Sequence, residues 1–244
     1  MSNHSAYRTF VDRLSKTKDS VREKSTKKRK DLGLRTAREN LDDLVDSGSF
    51  LEFGAFAVAA QRNRRDYEEL QLETSADGIL TGFCNINKDE VGEDNSHAAA
   101  IIYDYSVLAG SQGFFHHQKL DRICEKAEEF SLPVVIFTEG GGGRPGDTDV
   151  TTQIAGLHIP SFSTWARLTG KCLKIAVNNG YCFAGNAVLF GCSDFMIATK
   201  KSWIGMAGPA MIEGGGLGIY DPKEIGPAEE QYKNGVLDYL AEDE

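Results

Sequence analysis

Between residues 98 and 191 the chain repeats one pattern: an apolar stretch, a glycine-containing turn, then a helical segment. Ala98 to Tyr105 runs through Gly110-Ser-Gln-Gly113 into a segment whose Leu120, Ile123, Cys124, Ala127 and Phe130 share one face. That spacing predicts a helix burying a single apolar stripe. The strand over 133–138 holds the unbroken apolar run Val134 to Phe137, which reads as buried on both sides. It ends in Glu139, Gly140 to Gly143 and Arg144, and leads to a helix carrying Ile154, Leu157, Trp165 and Leu168, which Pro160 breaks or kinks. Leu173 to Val177 then runs through Asn178-Asn-Gly180 to a short helix near 184–191. Units about 35–40 residues apart predict parallel strands joined by crossover helices, an α/β fold. Each glycine turn falls at a strand's carboxyl end, where open α/β sheets place their ligands.

The flanking segments are simpler. Residues 5–45 read as helical, with a capping box at Thr36-Ala-Arg-Glu39. Asp46-Ser-Gly-Ser49 makes a turn, Phe50 to Phe53 a short extended piece, and residues 60–75 a mobile loop or linker. Gly78 to Ile86 alternates as a strand, and Asn87 to Asn95 makes a hairpin turn. Beyond Phe195 to Ala198, a further strand, and the segment Trp203 to Met206, the tail is acidic and turn-rich, without a clear terminating element.

Four consecutive glycines lose much conformational freedom on folding, roughly 0.5–1 kcal/mol each relative to Ala inside regular structure. Some requirement for bare backbone has to offset that cost. A phosphate loop fails, because Pro145 stands at the spacing from Gly140 where G-x-x-x-x-G-K-[ST] needs its second glycine. Gly141-x-Gly143-x-x-Gly146 matches a dinucleotide fingerprint, but the turn follows a late strand and no acidic residue stands near 160–170. Two readings remain: a tight turn needed for packing, and a set of N–H groups aimed at an oxyanion. Gly180-Tyr-Cys182-Phe-Ala-Gly185 imitates a nucleophile elbow, with His158 and Asp147 as conceivable partners, though a buried cysteine is the plainer reading. His116 and His117 are adjacent and cannot share a metal on a helix; one of them faces the cleft. Asp104 and Asp194 read as caps at strand ends, and no metal site is visible.

Hydrophobic residues make up 41% of the 244 and charged residues 26%, which describes a soluble globular chain with no segment long enough to span a membrane. Met1 to Ser5 has no apolar signal core, and acidic residues interrupt the basic ones that follow. Cys84, Cys124, Cys172, Cys182 and Cys192 are odd in number and lack paired spacing, so a reducing cytoplasm fits. The net charge of −9 is uneven: residues 1–40 carry +7 and the remainder −16. The basic run Lys24 to Lys30 has no interleaved aromatics and sits on an acidic body, so a solvated helical lead-in is preferred to a nucleic-acid arm.

Assembled in order, these motifs resemble the carboxyltransferase subunits of biotin-dependent acyl-CoA carboxylases over most of residues 35–240. The segment from Arg35-Thr-Ala-Arg-Glu39 to Glu52 is similar to that family's opening helix and turn, and Gly78-Ile-Leu-Thr-Gly82 to its first core strand. Tyr103 to Val107, Gly110 to Gly113, His116 and Lys119 match the next block. Glu139 to Arg144 stands where the family carries Asp-Ser-Gly-Gly-Ala-Arg; Gly180-Tyr-Cys-x-x-Gly185, Asp194 and Gly208-Pro209 follow. Each motif is weak alone and specific in sequence with the others. Glu139, Gly140 and Asn186 depart from the family pattern, and the four-cysteine zinc motif of the split bacterial subunit is absent.

The resemblance implies a crotonase-like (ClpP/crotonase) spiral of ββα units, with residues 1–75 as a helical lead-in and linker and 76–244 as the N-terminal of two spiral halves. A C-terminal half is then expected on a partner polypeptide or on a longer form of this chain, the latter preferred. The implied reaction moves a carboxyl group from carboxybiotin, carried on a partner, to the α-carbon of an acyl-CoA, with an enolate held by backbone amides. Gly141, Gly142 and Gly143 are the expected catalytic positions, the first two supplying the amides. Gly110, Ser111, Gly113, Lys119, Arg144 and Gly185 are expected along the acyl-CoA path. Biotin carboxyl carrier and biotin carboxylase components are the implied partners, within an oligomer, with no nucleic acid, membrane or bound metal. A crotonase-type hydratase or hydrolase, using acidic residues or Cys182, and a non-catalytic assembly subunit are the alternatives.

Overall fold

The computed structural model describes residues 2–150 and 159–244. The lead-in is three helices rather than one: α1 (Ser2–Ser15), α2 (Glu23–Asp31) and α3 (Ala37–Leu44). The break after α2 falls at Gly33, whose φ of +68° favours glycine. The capping box at Thr36 forms as expected, with Glu39 N–H donating to Thr36 Oγ1 at 3.1 Å and Thr36 N–H to Glu39 Oε2 at 2.8 Å.

Strand β1 (Leu51–Phe53) is followed by α4 (Tyr67–Glu73), within the segment expected to be a loop. The signal is local: Asp66 caps α4 by accepting from the N–H groups of Glu68 and Glu69. Strands β2 (Ile79–Asn85) and β3 (His97–Tyr103) pair antiparallel. Their connection is two short helices, α5 (Lys88–Val91) and α6 (Glu93–Ser96), instead of a simple hairpin turn. Helix α7 (Phe114–Phe130), strand β4 (Val134–Phe137) and helix α8 (Ser161–Arg167) follow, with Pro160 at the N-cap of α8. The expected positions Ile154, Leu157 and His158 lie outside the described residues. Then come β5 (Lys174–Asn178), β6 (Tyr181–Phe183), α9 (Gly185–Gly191), β7 (Phe195–Thr199) and β8 (Trp203–Gly205). The tail adds α10 (Pro209–Gly214), α11 (Ala228–Lys233) and β9 (Tyr239–Ala241). It therefore does terminate in an element, since β9 pairs with β7.

The main sheet runs β1-β2-β3-β4-β5-β7-β9, antiparallel up to β3 and parallel from β3 onward. Strands β6 and β8 form a second, parallel pair. Strand β3 shows why the middle of the sheet is apolar throughout. Its Ala99, Ile101 and Tyr103 join a cluster with α7's Leu120, Ile123, Cys124 and Ala127, while Ala98, Ala100 and Ile102 meet Leu41 of α3 on the other face. Phe130 is not part of that inner face: it ends α7 half-exposed, edge-on to Phe83. The carboxyl ends of β3, β4 and β5 lie side by side, which brings their turns together.

Candidate active site

The glycine turn leaves β4 through Thr138 and Glu139, both buried. Glu139 is held by Arg29 of α2, with Oε2 2.6 Å from the guanidinium. Burial pushes its carboxyl up to about 7, with Arg29 pulling the other way. A Cβ at Gly180 would overlap Glu139 Oε1, so Gly180 is bare to admit this side chain. Gly140 is pinned as if in a strand: its N–H donates to Tyr181 O at 2.7 Å, and its carbonyl accepts from Phe183 N–H at 2.9 Å. It has no room for a Cβ, which would overlap Gly110 O and Asn186 Nδ2.

The next three glycines differ from one another. Gly141 N–H donates to Ala109 O at 3.0 Å. Gly142 has φ +89°, and its N–H donates to Asn186 Oδ1 at 3.0 Å. The two amides expected to face an oxyanion are thus engaged inside the protein. Gly143 is exposed, a Cβ there would meet nothing within 4 Å, and among the described residues no acceptor takes its N–H.

A second turn touches the first. Between β6 and α9, Ala184 has φ 52° and ψ −120°, a strained conformation for a residue with a Cβ. This strand–turn–helix is the elbow suggested by the sequence, but its strained position carries Ala184, not Cys182. Cys182 is fully buried, beside Thr138, and burial pushes its thiol up to about 12, so it is no nucleophile at neutral pH. Asp147 is engaged elsewhere, accepting from Gln61 and Phe114. Gly185 opens α9, so its N–H is among the first-turn amides a helix leaves without an internal acceptor. A Cβ at Gly142 would lie 2.7 Å from Ala184 Cβ and 3.6 Å from Gly185 N, which shows how close the two turns are.

The polar residues expected along the acyl-CoA path serve mainly as framework. Arg144 is buried, paired with Asp77 and 3.5 Å from Asp147 Oδ2, and it donates to Ser111 O at 2.7 Å and Ser111 Oγ at 3.2 Å. Its fork orients the turn. Lys119 points away from the turn and donates to the carbonyls of Ala76 and Ile79, with burial lowering its ammonium to about 8. Gly110 and Gly113 are bare for packing, against Glu139 O and the Arg144 guanidinium, and Gly185 against Gln112. His116 is fully buried, whereas His117 borders a recess and shares a hydrogen bond with Ser161 Oγ at 2.9 Å. Burial lowers His117 to about 4, so it is neutral.

Cavities flank the turn. On the Glu139 side, about 660 Å³ is lined by Lys28, Arg29, Tyr105, Tyr181, Lys201, Trp203 and Lys223. The rings of Tyr181 and Trp203 lie 5.0 Å apart, with Lys223 Nζ 5.9 Å above Trp203. On the Gly143 side, about 330 Å³ is lined largely by apolar groups, with Phe114, Pro145, Val150 and Ile159 beside Gly113 and His117. Among the described residues no group of His, Cys, Asp or Glu is placed to hold a metal, and no helix is long and apolar enough to cross a membrane.

The sequence pattern of the carboxyl transferase domain matches residues 28–244. The chain belongs to this family. The methylmalonyl-CoA carboxyltransferase 12S subunit of Propionibacterium freudenreichii subsp. shermanii is 30% identical over 91% of the chain and 40% of the relative. A biotin-dependent long chain acyl-coenzyme A carboxylase beta4 subunit of Mycobacterium tuberculosis is 28% identical over 96% of the chain and 41% of the relative. Among solved structures, a single-chain, multi-domain long-chain acyl-CoA carboxylase superposes with TM-score 0.92 at 49% identity, over 98% of this chain and 23% of that one. A chain of the transcarboxylase 12S structure superposes with TM-score 0.79 at 26% identity, over 100% of this chain and 45% of that one. This carboxyl transferase domain therefore has the crotonase-like α/β fold expected of it, and it spans about 40% of the length of those curated relatives.

Proposed function

We propose that this carboxyl transferase domain is the N-terminal half-site of a cytoplasmic acyl-CoA carboxyltransferase, residues 76–244 forming the spiral half and 1–75 its lead-in. Its co-substrate is biotin carried on a partner. The observation that carries the proposal is a pair of turns in contact at the sheet's carboxyl edge, with the Gly143 and Gly185 amides taken by no acceptor among the described residues and a cavity on either side.

The larger cavity suits the nucleotide end of an acyl-CoA. Lys28, Lys201 and Lys223 offer cations to its phosphates, and Tyr181 and Trp203 offer faces to its base. The thioester then approaches the turn, where the α-proton becomes acidic only if the enolate oxygen is stabilised. Two backbone N–H groups fixed before reaction do this without reorganisation cost. The recess by Gly143 has apolar walls that suit the biotin ring; carboxybiotin would supply the carboxyl group there, and the ureido nitrogen freed of it would take the α-proton. Arg144, Asp77 and Asn186 touch neither substrate and hold the turns in place. A long acyl chain is the proposed substrate class, on the strength of 49% identity to a long-chain enzyme's matching portion. A C-terminal spiral half, a biotin carboxyl carrier and a biotin carboxylase complete the assembly.

Gly143→Pro in the assembled enzyme tests this, with Gly143→Ala as the control that keeps the amide and meets open space. Loss of one oxyanion donor lowers kcat by about 10²-fold or more. The proline variant should show that loss and the alanine variant stay within a few-fold of wild type. Equal activity in all three contradicts the assignment.

A further inference from the structure

Gly140 and Asn186 are in contact across two turns. Asn186 is fully buried on the first turn of α9, and its carboxamide reaches across to the glycine turn. Oδ1 accepts from Gly142 N–H at 3.0 Å; Nδ2 donates to Thr138 O at 3.0 Å and lies 3.5 Å from Gly110 O. One side chain thus ties together the end of β4, the turn before α7 and the glycine turn. A side chain at 140 would occupy the same space, since a Cβ there overlaps Asn186 Nδ2. The polar side chain that fixes the middle of this turn comes from α9, while Arg144 holds its end.

We infer that Asn186 is the positioning residue that decides which amides face the reacting oxygen. By turning Gly142 N–H inward it leaves the Gly143 and Gly185 amides as the donor pair. The inference rests on the function proposed above. Four glycines in a row have no side chains of their own to hold them; Gly142, at φ +89°, has its carbonyl held by Gln112 N–H at 2.8 Å and its N–H held by Asn186. Without the Asn186 amide the turn has no side chain fixing its middle, and a donor displaced by about 1 Å costs on the order of 10² in rate.

The test is steady-state carboxyl transfer by the assembled enzyme carrying Asn186→Ala or Asn186→Asp. Asn186→Ala should lower kcat by about 10²-fold while KM for acyl-CoA stays within about twofold, because the cavity lined by Lys201, Trp203 and Lys223 is untouched. Asn186→Asp gives a sharper reading and carries the test if the alanine variant does not fold. Its neutral carboxyl can accept from Gly142 N–H and donate to Thr138 O, as the native carboxamide does, whereas its ionised form faces two carbonyls. The ratio of its kcat to that of wild type should therefore rise as pH falls, and the same ratio measured in a Glu139→Gln background separates this from the titration of Glu139 nearby. A kcat for Asn186→Ala within twofold of wild type overturns the inference, as does a loss confined to KM or a ratio that does not change with pH. If wild type itself transfers no carboxyl group, the proposed function falls and takes this inference with it.

Discussion

Glu139 carries the clearest consequence at the scale of single residues. Burial raises its carboxyl from 4.5 to about 7 despite Arg29. A carboxyl whose folded value lies above its unfolded value binds more protons in the native state between those two values. Its contribution to stability is complete below about 4.5 and is lost as pH rises to about 7, an amount of about 3 kcal/mol. Denaturant titrations of wild type should show that decline, and Glu139→Gln should lack it; parallel pH profiles would show that Glu139 is ionised throughout. The glycine turn beside it was legible as a demand for bare backbone. Which amide stays free was not, because that depends on Asn186 reaching over from α9 and on the φ of Gly142. Both are tertiary facts. The elbow at Gly180–Gly185 was likewise visible as a pattern, while the residue at its strained position, Ala184, was displaced by two from the cysteine that drew attention.

Among elements, β3, β4, β5 and α7 declared themselves through unbroken apolar runs and a single helical stripe. Strands β6 and β9, three residues each, did not, since their pairing partners decide them, and α4 was missed although its Asp66 cap is local. Tyr239–Ala241 becomes a strand only because Ile197–Thr199 offers an edge. The basic lead-in was legible as a helical segment on an acidic body, and two buried contacts explain its attachment. Arg29 meets Glu139, and Arg22 meets Asp104 at 3.0 Å while also donating to Leu72 O at 2.9 Å. Burial alone would raise Asp104, but Arg22 and Ser106 outweigh it and hold the carboxyl below its ordinary value. Removing one partner of such a pair strands the other charge, at about 3–5 kcal/mol. Arg22→Ala should cost that much in chemical denaturation, with early proteolysis between α1 and α3. A loss below about 1 kcal/mol would mean that α1 and α2 are held by other contacts.

For the whole molecule, the proposed chemistry depends on one arrangement: donors from two turns at the sheet's carboxyl edge, with a cationic, aromatic cavity on one side and an apolar recess on the other. The family resemblance was legible because the motifs kept their order. The second cavity was not, since Gly113, Gly143 and Ile159 meet there only after the sheet has formed. The most direct measurement follows a labelled carboxyl group in the assembled enzyme, from carboxybiotin to a long-chain acyl-CoA. The label should appear on the α-carbon of the acyl group, only when the C-terminal half is present, and be lost with Gly143→Pro. Acyl-CoA hydrated or hydrolysed while the label remains on biotin would contradict the account.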